Sequence, residues 1–82
     1  MEAARPRTTP PLCELDTLAV CVLVAGQLAA KGDVEHGYTT LAAGCGRAAE
    51  ARQAGEAWAD ELDRLYRLIM DYYAVCYGVA RE

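Results

Sequence analysis

The feature that most constrains the fold of this chain is a run of fourteen uncharged residues, from Thr17 to Ala30. The centre of the run, LAVCVLVAG, places apolar side chains on every side if it is wound as a helix. Val20, Val22 and Val24 are β-branched, so a buried strand competes with the helix. We favour the helix because the rest of the chain offers no strand partner. A helix that is apolar all round must be covered all round.

The length of the chain limits how well this helix is covered. A chain of 82 residues forms one domain and buries a smaller fraction of its surface than a larger domain does. Yet 54% of its residues are hydrophobic, which is a high share for so small a body. We therefore expect the interior to be completed by self-association or by a larger helical partner.

Charge and the start of the chain argue against several classes of function. The formal net charge is −4 and Lys31 is the only lysine, whereas nucleic-acid binding needs clustered cations. The uncharged run is shorter than the roughly 20 apolar residues of a membrane span. The first residues lack the basic-then-apolar order of a secretory signal. We expect a cytoplasmic protein that binds neither nucleic acid nor membrane.

Turn residues predict an all-α fold, a small antiparallel helical bundle completed by oligomerisation. Lys31, Gly32 and Asp33 read as a helix end, a left-handed residue and the cap of the next helix. Gly55 ends the second helix or passes through it, because the apolar spacing continues in phase across it. The bundle therefore has three helices or one short and one long helix. The predicted organisation is a flexible segment over 1–11 and a helical domain over 12–82, with helices near 12–31, 34–54 and 56–80.

The second predicted helix carries a row of small residues beside its apolar seam. Glycine in a helix interior costs roughly 1 kcal/mol relative to alanine. A close approach by another helix would offset that cost. The members of the row are Gly37, Thr40, Gly44, Ala48 and Ala51.

The third predicted helix changes character along its length. Its first half has an outward charged face with Arg64 and Arg67 among its members, while the stretch from Tyr72 to Ala80 carries no charge and includes three tyrosines. Tyrosine is enriched at interfaces, so we expect another chain to cover this end. The predicted interface residues are Val20, Val22, Val24, Gly37, Gly44, Ala48, Trp58, Tyr66, Tyr72, Tyr73, Cys76 and Tyr77.

The four cysteines lack the close pairs that structural zinc sites show. Free cysteine often packs as a small buried hydrophobe, and we expect that here. The alternative is a thiol-based metal or redox site formed by Cys21, Cys45 and Cys76 from three helices. Cys45 stands between two glycines, but the only histidine, His36, precedes it by nine residues and is out of reach along one helix.

These patterns predict a non-enzymatic helical interaction module, either a homodimer or an adaptor subunit of a larger assembly. No catalytic residue, cofactor or metal is predicted. Two alternatives remain at this point. One is the thiol-based metal or redox protein, and the other is a small-molecule-binding regulator with an aromatic pocket between helices.

Overall fold

The computed structural model describes residues 9–79, which form three helices and no strand. The helices are α1 (Leu12–Ala30), α2 (Val34–Gln53) and α3 (Ala59–Tyr77). The predicted all-α bundle is confirmed. The beginning of the predicted flexible segment and Ala80, the predicted end of the third helix, lie outside the described residues.

The turn between α1 and α2 follows from its sequence. Gly32 adopts a left-handed φ of 89° and donates its N–H to the carbonyl oxygen of Ala29 at 3.0 Å. The N–H of Asp33 reaches back to Leu28 at 2.8 Å, which completes a Schellman motif. The Asp33 side chain then accepts the backbone N–H of His36 and caps α2, as predicted.

Gly55 ends α2, and the competing unbroken helix does not form. Its φ of 82° places it in the left-handed region, which glycine enters without steric cost. The N–H groups of Gly55 and Glu56 bond to the carbonyl oxygens of Arg52 and Ala51, both at 3.0 Å. Because the turn extends beyond Glu56, α3 begins at Ala59, three residues later than the sequence predicted.

Helix α2 lies between the other two helices. Both α1 and α3 pack extensively on α2 but touch each other little. Because α2 runs back along α1 and α3 runs back along α2, α1 and α3 point the same way. The core consists of two clusters, Ala25, Leu41 and Tyr73 in one and Ala48, Leu62 and Tyr66 in the other.

The small row of α2 faces tyrosine rings of α3 within the same chain. A methyl group on Gly44 would lie 2.6 Å from Cζ of Tyr66, and one on Gly37 would collide with the hydroxyl of Tyr73. Burial of a large apolar side chain contributes roughly 1.5–3 kcal/mol, which offsets the roughly 1 kcal/mol that a helical glycine costs. The expected close approach therefore comes from side chains of α3 and needs no second molecule.

This packing corrects part of the predicted interface. The residues concerned are buried inside the chain, where a second molecule cannot reach them. The tyrosine rings occupy the space that the glycines leave, so neither the rings nor the glycines are available for contact with a second copy. These residues are Gly37, Gly44, Ala48, Tyr66 and Tyr73.

Candidate functional site

Helix α1 is apolar nearly all round, but α2 and α3 cover only part of it. Ala25 is its one fully buried residue. Leu23 is 65% exposed, and Val20 and Val22 are also exposed. A soluble helix usually turns polar residues toward solvent, so the exposed side of α1 requires an explanation.

The second half of α3 is exposed in the same way. Tyr72 is 70% exposed and Val75 74%, and Leu68 and Cys76 are exposed as well. Leu68, Tyr72 and Cys76 are spaced four residues apart, so they form one row on the helix surface.

An open groove joins these two exposed regions. It has a volume of about 220 Å³, and its walls are almost entirely apolar. Val22 and Gly26 of α1 line it, together with Ile69, Tyr72 and Cys76 of α3. We call the surface that includes this groove the α1–α3 face. It consists of the groove residues Val22, Gly26, Ile69, Tyr72 and Cys76, to which we add the exposed neighbours Leu23, next to Val22, and Leu68, next to Ile69.

Part of the charged surface of α3 lies on its α2 side, whereas the Glu61–Arg64 ion pair, at 2.9 Å, lies on the row of Leu68, because Arg64 precedes Leu68 by four residues. Arg67 Nε donates to Oδ2 of Asp63 at 2.9 Å, and Arg52 of α2 pairs with Asp60 at 2.8 Å. Asp63 also receives the thiol hydrogen of Cys45 of α2 at 3.3 Å. These bonds tie the charged stripe of α3 to the α2 side of the bundle.

The Asp63 network determines the state of the Cys45 thiol. Burial raises the pKa of Cys45, and the hydrogen bond to Asp63 and its negative charge raise it further, against the opposing charges of Arg67 and Arg52. Burial acts to raise the pKa of Asp63 too, but bonds from Arg67 and Cys45 and the nearby arginine charges hold it below its ordinary value. Cys45 therefore stays a protonated donor at neutral pH, whereas a nucleophilic cysteine needs a lowered pKa.

The structure does not bring the three candidate metal ligands together. Cys45 bonds to Asp63, Cys21 lies beside the buried Tyr66 hydroxyl, and Cys76 is exposed in the groove. Across residues 9–79, no group of three or more Cys, His, Asp or Glu side chains is arranged to hold a metal ion. His36 is engaged at the start of α2, where its Nδ1 lies 2.7 Å from Oδ2 of Asp33.

Three tyrosines meet where α3 ends beside the start of α2. The rings of Tyr73 and Tyr77 have centroids 4.7 Å apart, and those of Tyr38 and Tyr73 lie 6.2 Å apart. The Tyr73 hydroxyl donates to the carbonyl oxygen of Val34 at 2.7 Å. Tyr38, Tyr77 and Glu35 border an open cleft of about 520 Å³ beside them. This cleft is shallow and mixed in polarity, unlike the mostly apolar, enclosing pockets of small-molecule sites.

The remaining predicted interface residues are distributed unevenly. Val22, Tyr72, Cys76 and Tyr77 line the groove. Val20 and Val24 are exposed but do not line it. Trp58 is half-buried at the start of α3, against the cluster around Tyr66.

Sequence reasoning missed Leu23, Leu68 and Val75, which are among the most exposed large apolar residues. A signal for two of them was present in the pattern. Leu68 and Val75 are seven residues apart, so they lie on one side of α3, and Leu68 precedes Tyr72 by four residues on the same row. The prediction included Tyr66 and Tyr73 instead, and the structure places both in the core.

By length and composition alone, α1 is long and apolar enough to cross a membrane. Core helices of soluble proteins and signal sequences often have the same length and composition. A scan of protein-family models and searches of curated proteins and of solved structures found no significant match to this chain.

Proposed function

We propose that the protein is a non-enzymatic, self-associating helical module in which two copies pack their α1–α3 faces together. The observation that carries this proposal is the apolar face itself. It includes Leu23 and Tyr72, both more than half exposed, and an open groove that no residue between 9 and 79 fills. Exposed apolar patches of this kind mark interaction sites in soluble proteins.

The size of the face fits a dimer. A standard interface buries roughly 800 Å² on each partner. Large apolar side chains that are half exposed each present on the order of 100 Å². Leu23, Leu68 and Tyr72 of the face, together with Tyr77, which lines its groove, are all about half exposed or more, so they supply several hundred Å². A second copy brings the same apolar area to the contact, which a self-complementary two-fold interface requires.

The packing of α1 favours a protein partner over a lipid one. Leu18 and Cys21 pack against the cluster around Tyr66, and Glu14 pairs with Arg47 of α2 at 3.2 Å. Moving α1 into a bilayer would uncover that cluster and break the ion pair. A second copy covers the exposed side of α1 without disturbing its packed side.

The experiment compares two substitutions that each add one negative charge to an exposed helix position. Leu23→Glu lies in the α1–α3 face, and Ala43→Glu lies on α2, away from the groove. Light scattering on purified protein should give a dimer for the parent chain and for Ala43→Glu. Leu23→Glu should give a monomer, because a charge buried in an apolar interface is strongly unfavourable.

Circular dichroism checks that all three proteins keep their helices. A parent chain that is monomeric at high micromolar concentration contradicts the proposal. A chain that stays soluble only in detergent contradicts it in favour of membrane insertion. An Ala43→Glu monomer would show that the contact lies elsewhere.

A further inference from the structure

We propose that the two copies associate in antiparallel orientation, with α1 against α1 of the second copy and the two-fold axis passing close to Leu23. This inference rests on the dimer proposed above. It specifies which parts of the face meet.

Two arrangements bring the α1–α3 faces together by a two-fold axis. Leu18 of α1 packs near Leu62 of α3, and Ala25 packs near Tyr73, so α1 and α3 run in the same direction. An axis along the helices places α1 over α3 of the second copy, with all four helices parallel. An axis across the helices places each helix over its own counterpart, and the counterparts then run in opposite directions.

Helix dipoles and charges favour the axis across the helices. In the parallel arrangement the positive helix starts gather at one end and the negative helix ends at the other, which is unfavourable. Asp16 and Glu61 of both copies would also meet at one end. The antiparallel arrangement separates these acids and opposes the dipoles.

Charge complementarity along α1 sets the register. Asp16 and Lys31 are exposed near opposite ends of the helix, and within residues 9–79 neither takes part in an ion pair. In an antiparallel pair, Asp16 lies opposite Lys31 of the second copy when the axis passes midway between them. That midpoint falls beside Leu23, the most exposed large apolar residue in the uncharged run.

The height of Leu23 corresponds to an exposed apolar position of α3. Cys21 lies beside Tyr66, so the height of Leu23 on α1 corresponds to Leu68 on α3. Leu68 is 55% exposed and belongs to the α1–α3 face. An axis at this height brings the charged start of α3 opposite its uncharged end, so no like charges meet there either.

Disulfide trapping tests the orientation. The background is the full chain with Cys13→Ala and Cys76→Ala, which removes the two exposed thiols. Leu23→Cys is added to one protein and Leu12→Cys to a second. Leu12 is 73% exposed on the same helix. With the axis at Leu23, the two Leu23 positions adjoin, whereas the two Leu12 positions lie roughly 33 Å apart at 1.5 Å per residue.

A disulfide needs Cα atoms within about 7 Å. Mild oxidation should therefore convert Leu23→Cys to a covalent dimer that dithiothreitol releases, and should leave Leu12→Cys as single chains. Equal cross-linking of the two variants, or preferential cross-linking of Leu12→Cys, overturns the antiparallel orientation. Light scattering before oxidation separates the two failures, because a dimer that does not trap at Leu23 contradicts only the orientation.

Charge reversal tests the register. Asp16→Lys and Lys31→Asp should each weaken dimerisation by about threefold at low salt, the scale of an exposed ion pair. The double variant should regain the parent affinity, because it restores opposite charges in both contacts. Additive weakening in the double variant would overturn the register.

Discussion

Two tyrosine–glycine contacts, one heptad apart, hold α3 against α2 in this protein, and they differ in one atom's environment. Tyr66 covers Gly44 and Tyr73 covers Gly37. The Tyr73 hydroxyl donates to the carbonyl oxygen of Val34, whereas the Tyr66 hydroxyl is buried without a conventional partner. In both contacts a tyrosine ring packs onto a glycine, but only Tyr73 also makes a hydrogen bond. The packing of the ring onto the glycine, rather than the hydrogen bond, therefore determines where these tyrosines lie.

The environment of Tyr66 shows what that fit costs. A buried polar group without a partner costs roughly 1–3 kcal/mol. Burial raises the pKa of Tyr66 to about 12, with the Cys21 thiol beside it contributing in the same direction. The ring nevertheless stays in place because it occupies the space that the missing side chain of Gly44 leaves on α2.

The largest effect is expected for Gly44→Ala, which should lower the free energy of unfolding by roughly 2 kcal/mol through overpacking against the fully buried Tyr66 ring. Alanine is otherwise the better helix former, so a loss of stability isolates the steric contact. Urea unfolding followed by circular dichroism gives the value.

Gly46→Ala is the matched control. A methyl group there would meet no atom within 4 Å, so only helix propensity changes. The free energy of unfolding of Gly46→Ala should rise by about 1 kcal/mol. If both alanine variants are stabilised, the Tyr66 ring does not pack tightly against Gly44, and ring packing on glycine does not explain how α3 is held on α2.

A smaller loss is expected for Tyr73→Phe. This change keeps the ring over Gly37 but removes the donor to the carbonyl oxygen of Val34, so the free energy of unfolding should fall by about 1 kcal/mol. Thermal unfolding at neutral pH measures the change. No loss would mean that the hydrogen bond at this end of α3 contributes nothing beyond the ring.

The smallest effect is expected for Tyr66→Phe, which removes the hydroxyl that lacks a partner and should be neutral or slightly stabilising. It should also protect the chain at high pH. The raised pKa of Tyr66 means that its contribution to stability is present below the ordinary value of 10.0 and is lost as pH rises toward about 12.

Urea midpoints measured at pH 9 and at a pH above 10 test both statements about Tyr66. The parent chain should lose more stability between the two conditions than Tyr66→Phe does. A loss of more than about 1 kcal/mol in Tyr66→Phe at neutral pH would reveal a hydrogen bond that the hydroxyl makes in solution.

Local sequence was enough to predict the helices and most of their ends. The left-handed glycine and the capping aspartate at 32 and 33 act within one turn of chain, so they are legible without tertiary contacts. Gly55 was ambiguous because the apolar spacing on its two sides is compatible with a continuous helix. Whether the helix ends at Gly55 is decided by the packing of α3 back onto α2.

The sequence by itself determined that this chain is helical, that the small residues of α2 allow another helix to approach closely, and that α1 has more apolar surface than a short chain covers. Only the tertiary structure decided what fills that room and what stays exposed. Helical periodicity assigns each residue to a side of its own helix, but it does not say which neighbour covers that side. The sequence pattern therefore assigned the core residues Tyr66 and Tyr73 to the interface and did not identify Leu23 and Leu68 as exposed. The choice depends on how side-chain volumes match between helices far apart in sequence.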